Sequence, residues 1–421
     1  MYCGNCFRDN ALVAQLRRQG HSALMVPLYL PLTLDEADQS AGTPLFFGGV
    51  NVYLDQKSAL YRKAPAWLRR WLDSPALLRW AGGRAAKTRA EDVGDLMLSM
   101  LRGEEGNQVR ELDELISWLA SQPQRPDVVC LSNALLAGLT RQLRARLRVP
   151  VVSMLQGEDA YLDSLPASHR DPAWQALRER AVDVELFIAP SQYYADVMRE
   201  RLALPDGKVR VVHNGISLEG YADPATPLPR VSPPTLGFFA RLCREKGLDR
   251  LVDVFIELKR RGRVPGLRLK IGGGCGPADE PFLDEMRRRL RDGGCFDVAE
   301  FHPNLERARK VEFYGSLSVL SVPALYGEAF GLYLIEAMAA GVPVVQPRHG
   351  AFPELIEATG GGLVCEPITA ALADGIEQLL LKPDQAQALG EAGRRAVFQR
   401  FSVESMANRF LGMLGETIRP K

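Results

Sequence analysis

No sign of charge dominates this sequence. Its 52 Lys and Arg residues face 51 Asp and Glu, a formal net charge of +1. That balance supplies no global field to gather nucleic acid or an acidic partner, so no nucleic-acid function is expected. Long apolar runs are missing too. The longest candidate, residues 128–139, is broken by Ser132 and Asn133 and falls short of the roughly 20 residues that span a bilayer as a helix. The opening residues carry no signal-peptide pattern. Cysteine is scarce: seven residues, an odd number at irregular spacing, which suits reduced thiols in a cytoplasmic protein better than a disulfide framework. Cys3-Gly4-Asn5-Cys6 is a single C-x-x-C with no second pair and no strand before it, so the spacing points neither to zinc nor to a redox motif. Ordinary loop cysteines are expected there.

What the chain does have is alternation. Its 421 residues suffice for two or three domains. Short apolar runs at 127–131, 149–155, 185–189 and 208–212 alternate with helical patterns at 107–121, 134–147, 171–182 and 191–203. Such alternation predicts a mostly parallel sheet covered on both faces. A Pro-rich stretch at 223–234 cannot hold regular structure and reads as a domain boundary. Beyond it the alternation restarts. Strands are expected at 235–239, 267–271, 298–301, 317–322 and 362–365, and helices at 247–261, 279–291, 304–315, 369–381, 385–400 and 402–415. Two doubly wound domains are the economical reading.

The beginning departs from that plan. Residues 8–19 read as a helix ended by Gly20 and followed by a strand at 22–27, with another strand-like run at 44–54. A doubly wound domain normally opens with a strand feeding such a helix through a glycine-containing turn. Here Met1 to Asn5 already read as the turn, so the first strand is expected to be missing and the true start of the chain to lie upstream. Residues 60–89 shift in composition: eight Lys and Arg against Asp73 alone, with Trp67, Trp71 and Trp80. Trp67 and Trp71, four apart, share a helix face flanked by cations, the composition of an interfacial membrane helix. A packed insertion with a solvated basic rim is the competing reading.

The chain is organised around Tyr326-Gly327-Glu328-Ala329-Phe330-Gly331-Leu332-Tyr333-Leu334-Ile335-Glu336-Ala337-Met338-Ala339-Ala340-Gly341-Val342-Pro343. It reads as a loop, a helix over 332–340 and a strand, with Gly341 as the C-terminal stop and Pro343 forbidding continuation. The unpaired N–H groups of the first helical turn favour an anion. Glu328 precedes the helix and Glu336 lies inside it among apolar residues, where a buried carboxylate needs a donor such as a sugar or ribose hydroxyl. Upstream, Gly237 to Gly247 leaves a strand and enters a helix, placing Arg241 and Lys246 beyond the strand end, where open α/β sheets bind ligands. Two cations and a helix dipole suit a diphosphate. Gly272-Gly273-Gly274-Cys275-Gly276-Pro277 fails as a dinucleotide fingerprint, because proline stands where the last glycine belongs.

Arg241 with Lys246-Gly247, then Gly272-Gly273-Gly274, then Glu328-Ala329-Phe330-Gly331 with Glu336-Ala337-Met338, resemble retaining glycosyltransferase family 4 of the GT-B fold. Val212-His213-Asn214-Gly215-Ile216 resembles that family's Asn-Gly signature. The resemblance is dense over 208–400 and looser over 8–200. It implies two Rossmann-like domains facing across a cleft. Residues 1–217 would form the acceptor-side domain, 218–234 a linker, 235–400 the nucleotide-sugar domain, and 401–421 a helix crossing back. Carried over by position, Arg241 and Lys246 hold the donor diphosphate and Glu328 faces the transferred sugar. Gly272 and Gly273 line the donor site, the amides of Ala329, Phe330, Gly331 and Leu332 contact sugar and phosphate, and Glu336 holds the ribose. No metal and no cofactor are expected, only a nucleotide-diphosphate sugar, an acceptor glycan or lipid, and an anionic membrane surface at the inner face as a further partner. One departure stands out. The family often has a histidine after the strand at 149–155, whereas this chain reads Gln156-Gly157-Glu158-Asp159. Gln156 cannot relay a proton, and Glu158 and Asp159 are its acceptor-side neighbours. A GT-B epimerase or phosphorylase is the alternative enzyme; a non-catalytic, membrane-docked binding protein is the alternative from another class. The Arg241, Lys246 and Glu328 constellation favours transfer.

Overall fold

The computed structural model describes residues 4–28, 36–47 and 90–417. They build two parallel sheets. The first carries β1 (Val129–Leu131), β2 (Val151–Met154), β3 (Leu186–Ala189) and β4 (Val209–Val211) in that spatial order. β2 and β3 are buried at every position, as strands covered on both faces must be, which explains why their sequences are continuous apolar runs rather than alternating ones. The second carries β5 (Thr235–Phe239), β6 (Arg268–Gly273), β7 (Ala299–Pro303), β8 (Val319–Leu320), β9 (Val344–Pro347) and β10 (Gly362–Cys365). Its order, β10-β9-β8-β5-β6-β7, reverses direction between β5 and β8. The crevice beyond the carboxyl ends of that pair is where a doubly wound sheet takes its ligand.

Most helices fall where the sequence predicts them; those at 90–102, 158–163 and 352–359 are additional. In the first half α1 (Gly4–Arg18), α2 (Ala90–Arg102), α3 (Val109–Ala120), α4 (Thr140–Leu147), α5 (Glu158–Asp163), α6 (Ala167–Ala181) and α7 (Gln192–Arg201) surround the sheet. The second half adds α8 (Leu248–Arg261), α9 (Glu280–Asp292), α10 (Arg307–Gly315), α11 (Leu332–Ala339), α12 (Phe352–Thr359), α13 (Thr369–Leu381) and α14 (Pro383–Arg400). The last helix, α15 (Val403–Thr417), sets Met406, Phe410, Met413 and Leu414 against Leu12 and Leu16 of α1 and the β2 and β3 side chains Val152, Met154, Leu186 and Ile188. The C-terminal helix therefore closes the first core. Ile216 N donates to Phe401 O at 3.0 Å and Val403 N to Ile216 O at 2.8 Å, so the chain's two crossings between the halves run side by side.

Four expectations are corrected. Residues 21–28 form no strand, and among the described residues no strand precedes β1. Their backbone is held singly, by Arg17 Nε on Ala23 O, Thr43 Oγ1 on Met25 O and Phe47 N on Leu28 O. The apolar run is met in part by Ala23 packing on the α15 core and Val26 and Leu28 on the α3 core, while Leu24 is exposed. Residues 44–47 are likewise irregular, and the rest of the run expected at 44–54 lies outside the described residues. Cys6 lies in α1 rather than in a loop, and α6 begins at Ala167 instead of 171, carrying Pro172 within it. Residues 60–89, with their tryptophans, also lie outside the described chain. Among the described residues no helix is long and apolar enough to cross a membrane.

Candidate active site

Lys246 closes a one-turn 3-10 segment after β5, and Gly247 turns the chain into α8 at φ 74°. A Cβ at Gly247 would sit 2.0 Å from Pro323 O, so only glycine lets this turn lie against the loop leaving β8. Leu325 N donates to Glu245 O at 2.9 Å and fixes the two loops together. The result is a pair that no local sequence feature specifies. Lys246 Nζ reaches Glu328 Oε2 at 2.5 Å and also donates to the Tyr326 hydroxyl. Tyr333 Oη donates to the same Glu328 oxygen at 2.9 Å, and Tyr326 Oη lies 3.3 Å from it. The ammonium stands 5.0 Å from the centre of the Tyr326 ring and 5.5 Å from that of Tyr333, within cation–π range.

Lys246 is only 18% exposed and Glu328 13%. Burial alone would lower the lysine's pKa, but the Glu328 carboxylate and the Tyr326 hydroxyl outweigh it and hold the ammonium above lysine's ordinary value. Burial, with the Glu328 charge added, pushes both tyrosines up. The site is thus a fixed cation, a carboxylate and two neutral phenols, with Glu328 Oε2 occupied by protein donors. Tyr326 and Tyr333 are not among the site residues expected from the sequence. The signal available was their position within the central stretch, two before and five after Glu328.

Arg241 is the second expected cation, and the structure gives it a different partner. Its Nη2 meets Asp279 Oδ1 at 2.9 Å and its Nε meets Oδ2 at 3.4 Å. Asp279 also accepts from Gly276 N at 2.9 Å, so the glycine loop holds the arginine through a carboxylate. Gly272 and Gly273 serve packing. A Cβ at Gly272 would lie 2.7 Å from the Phe239 ring, and one at Gly273, where φ is 131°, would lie 1.7 Å from Ala240 O. Both glycines are buried beneath the loop that carries Arg241.

The residues around Glu328 face two ways. Gly331 caps α11 at φ 94° and leads into Leu332 with no side-chain cap on the first turn, where Leu334 N donates back to Gly331 O at 2.9 Å. Ala329 and Phe330 instead turn toward the first domain. Ser191 Oγ donates to Ala329 O at 2.7 Å, and the Phe330 ring lies 6.2 Å from His213 and 6.3 Å from Phe401. Glu336 already has two protein donors, Lys310 Nζ and Tyr314 Oη, each at 2.9 Å, so it needs no ligand to satisfy its half-buried carboxylate. Each oxygen keeps a second lone pair.

Across the cleft, Gln156, Glu158 and Asp159 are brought together, but in unequal roles. Glu158 is 1% exposed. Its oxygens accept from Ala134 N at 2.9 Å, Gln156 N at 2.7 Å and Tyr194 Oη at 2.8 Å. Burial raises its pKa against these bonds. Glu158 therefore braces the loop from within rather than meeting an acceptor. Asp159 Oδ1 also stands 2.9 Å from Tyr194 Oη, so the two carboxylates share that hydroxyl's single proton, and Gln156 Oε1 accepts from Arg8. Tyr194 N in turn donates to Ser191 Oγ at 3.0 Å. A line of hydrogen bonds thus runs from the Gln156 loop through Glu158, Tyr194 and Ser191 to Ala329, the residue after Glu328. Beside it, Glu354 of α12 accepts from Gln192 N at 2.9 Å, Tyr193 N at 3.0 Å and His213 Nε2 at 3.1 Å. Among the described residues no three His, Cys, Asp or Glu gather as a metal site.

Residues 223–396 match the family model for glycosyl transferases group 1, and residues 98–219 match that for Glycosyltransferase Family 4. The chain belongs to the family 4-type glycosyltransferases. Among curated relatives, the GDP-mannose-dependent alpha-(1-6)-phosphatidylinositol monomannoside mannosyltransferase of Mycobacterium tuberculosis is 30% identical over 43% of this chain and 47% of its own length. The D-inositol 3-phosphate glycosyltransferase of Nocardiopsis dassonvillei is 27% identical over 71% of this chain and 66% of its own. The chain thus spans about half the length of the first relative and close to two thirds of the second. The sucrose-phosphate synthase of Thermosynechococcus elongatus superposes with a TM-score of 0.62 at 21% identity, covering 73% of this chain and 78% of that one. A glycosyltransferase from Rickettsia africae gives 0.62 at 15% identity over 98% and 95%. These likenesses show the fold, the two-domain Rossmann-like GT-B architecture.

Proposed function

We propose that this glycosyltransferase moves a sugar, with retention and without a metal, from a nucleoside diphosphate sugar to a glycan, lipid-linked or small-molecule acceptor. The observation that carries the reading is the Lys246–Glu328 pair, placed at the switch between β5 and β8 and backed by two tyrosine hydroxyls. A sugar leaves its nucleotide through an oxocarbenium-like state while charge builds on the departing phosphate, and a preorganised cation with helix N–H groups stabilises that charge. An entering diphosphate would draw Lys246 from Glu328. The freed carboxylate oxygen would then serve the sugar hydroxyls. Arg241, steadied by Asp279 yet 57% exposed, keeps guanidinium donors for the same phosphates, and Glu336 keeps a lone pair on each oxygen for a ribose hydroxyl. A GDP-mannose-dependent relative and a fold neighbour from Anabaena in complex with UDP-glucose support this class of donor.

Thermal unfolding with UDP, GDP, UDP-glucose and GDP-mannose tests it. A ligand at about 100 times its dissociation constant stabilises by about 2.7 kcal/mol, and the stabilising donor should then release its nucleoside diphosphate on turnover. A chain whose unfolding is moved by no nucleotide or nucleotide sugar overturns the proposal.

A further inference from the structure

We infer that Gln156 meets the substrate with its amide N–H donors, in an orientation locked by Arg8, and so selects an oxygen lone pair or an anionic oxygen at that point. The inference rests on the glycosyl-transfer reading above and adds the polarity of one contact. An amide's oxygen and nitrogen are assigned from their partners, and here the partner leaves no choice. Arg8 Nη1 lies 2.5 Å from the Gln156 carboxamide oxygen, and a guanidinium has donors only, at any working pH. A flipped amide would set NH2 against N–H.

Arg8 itself cannot turn away. Its Nη2 donates to Ser132 O at 2.7 Å and its Nε to Asp9 Oδ1 at 2.8 Å, and the side chain is 2% exposed. The Gln156 backbone is held as firmly, through its N–H on Glu158 Oε2. Gln156 Nε2 has no protein partner among the described residues and is not among the buried, unpartnered atoms, so it reaches solvent from the loop beyond the carboxyl end of β2, the side of a parallel sheet where ligands bind. The bonds from Glu158 through Tyr194 and Ser191 to Ala329 tie this loop to the one bearing Glu328. A histidine here would present a donor or an acceptor according to its tautomer. Glutamine clamped by arginine presents donors alone, across the whole pH range. The matching chemistry is a hydroxyl oxygen, a carbonyl, a carboxylate or a phosphate oxygen of the bound substrates.

Gln156→Glu decides the polarity at constant size. The carboxylate keeps the Arg8 contact, now as an ion pair, but offers the substrate an acceptor in place of a donor. The expected result is a fall in kcat/KM of about tenfold or more, the value of one hydrogen bond to a polar or charged group, with an unfolding temperature equal to wild type or higher. Gln156→His, which can still donate, should retain more activity than Gln156→Glu. Arg8 is a positioning residue here, so Arg8→Leu and Gln156→Ala should be non-additive in kcat/KM. If Arg8→Leu does not fold, the Gln156→Glu arm decides alone. The readout is release of nucleoside diphosphate from UDP-glucose or GDP-mannose, whichever stabilises the wild-type chain. Nucleotide binding with Gln156→Glu turnover within threefold of wild type overturns this inference alone. Absence of any nucleotide binding by the wild type overturns it together with the glycosyl-transfer reading.

Discussion

Replacing Lys246 with methionine keeps most of the unbranched side chain, one atom shorter, and removes the ammonium charge together with its bonds to Glu328 and Tyr326. In the structure that leaves the Glu328 carboxylate, 13% exposed, with two tyrosine hydroxyls for company. Breaking a buried ion pair by deleting one partner costs about 3–5 kcal/mol. Glu328 retains the Tyr333 bond and opens into a cleft that water can enter, so the expected cost is nearer about 2 kcal/mol. For a domain of this size that lowers the unfolding temperature by about 4–8 °C. Adding Glu328→Gln to Lys246→Met removes the uncompensated charge, and the double variant should recover most of the lost stability. Activity should not recover. Each single variant is expected to lose at least about a hundredfold in turnover, the typical loss for one preorganised electrostatic group, and the double variant should be little worse, because the two act as a unit. Thermal unfolding and nucleoside diphosphate release, measured on the four proteins, separate the two roles. A double variant as unstable as the sum of its singles would show that the charges do not pair. Turnover within threefold of wild type in both singles would remove Lys246 and Glu328 from the site.

Three further outcomes follow from the same geometry. Burial alone would raise the Glu354 carboxyl, but its bonds to His213 and to the amides of Gln192 and Tyr193 prevail and hold it below its ordinary value of 4.5; the stability it confers is present above that value and lost as pH falls through the lower folded one. Glu354→Gln should therefore lower the unfolding temperature at pH 7, with the gap to wild type closing in acid; an equal gap at pH 7 and pH 3 would refute a charged contact. Ser191→Ala removes a helix cap and the bond to Ala329 O, a loss of about 2 kcal/mol that Ser191→Thr should largely restore; unchanged denaturant midpoints for the alanine variant would mean the domains are not clasped there. Gly273→Ala forces a Cβ into Ala240 O at a left-handed φ and should cost about 3 kcal/mol, loosening the Arg241 loop; an unperturbed melting curve would contradict the close approach of β6 to that loop.

The sequence alone determined the second domain almost element by element, because there the signals are local. Apolar runs covered on both faces, glycine after a helix and proline beyond it act within a few residues, and Gly341 with Pro343 ends α11 as expected. It also singled out Arg241, Lys246 and Glu328, since loops at strand ends can carry such residues only at a ligand mouth or in solvent, and Glu336, a carboxylate among the apolar residues of its helix. The strand expected at 22–27 misled for the opposite reason: an apolar run states that side chains favour burial, not that the backbone finds a neighbour to pair with. Tertiary structure decided the partners. Lys246 meets Glu328 across 82 residues and Arg8 meets Gln156 across 148, and Asp279, Lys310 and Tyr314 join the site from other elements. Charges that look free along the chain become paired in space, because a half-buried ion in a cleft takes the nearest donor or acceptor that folding brings to it.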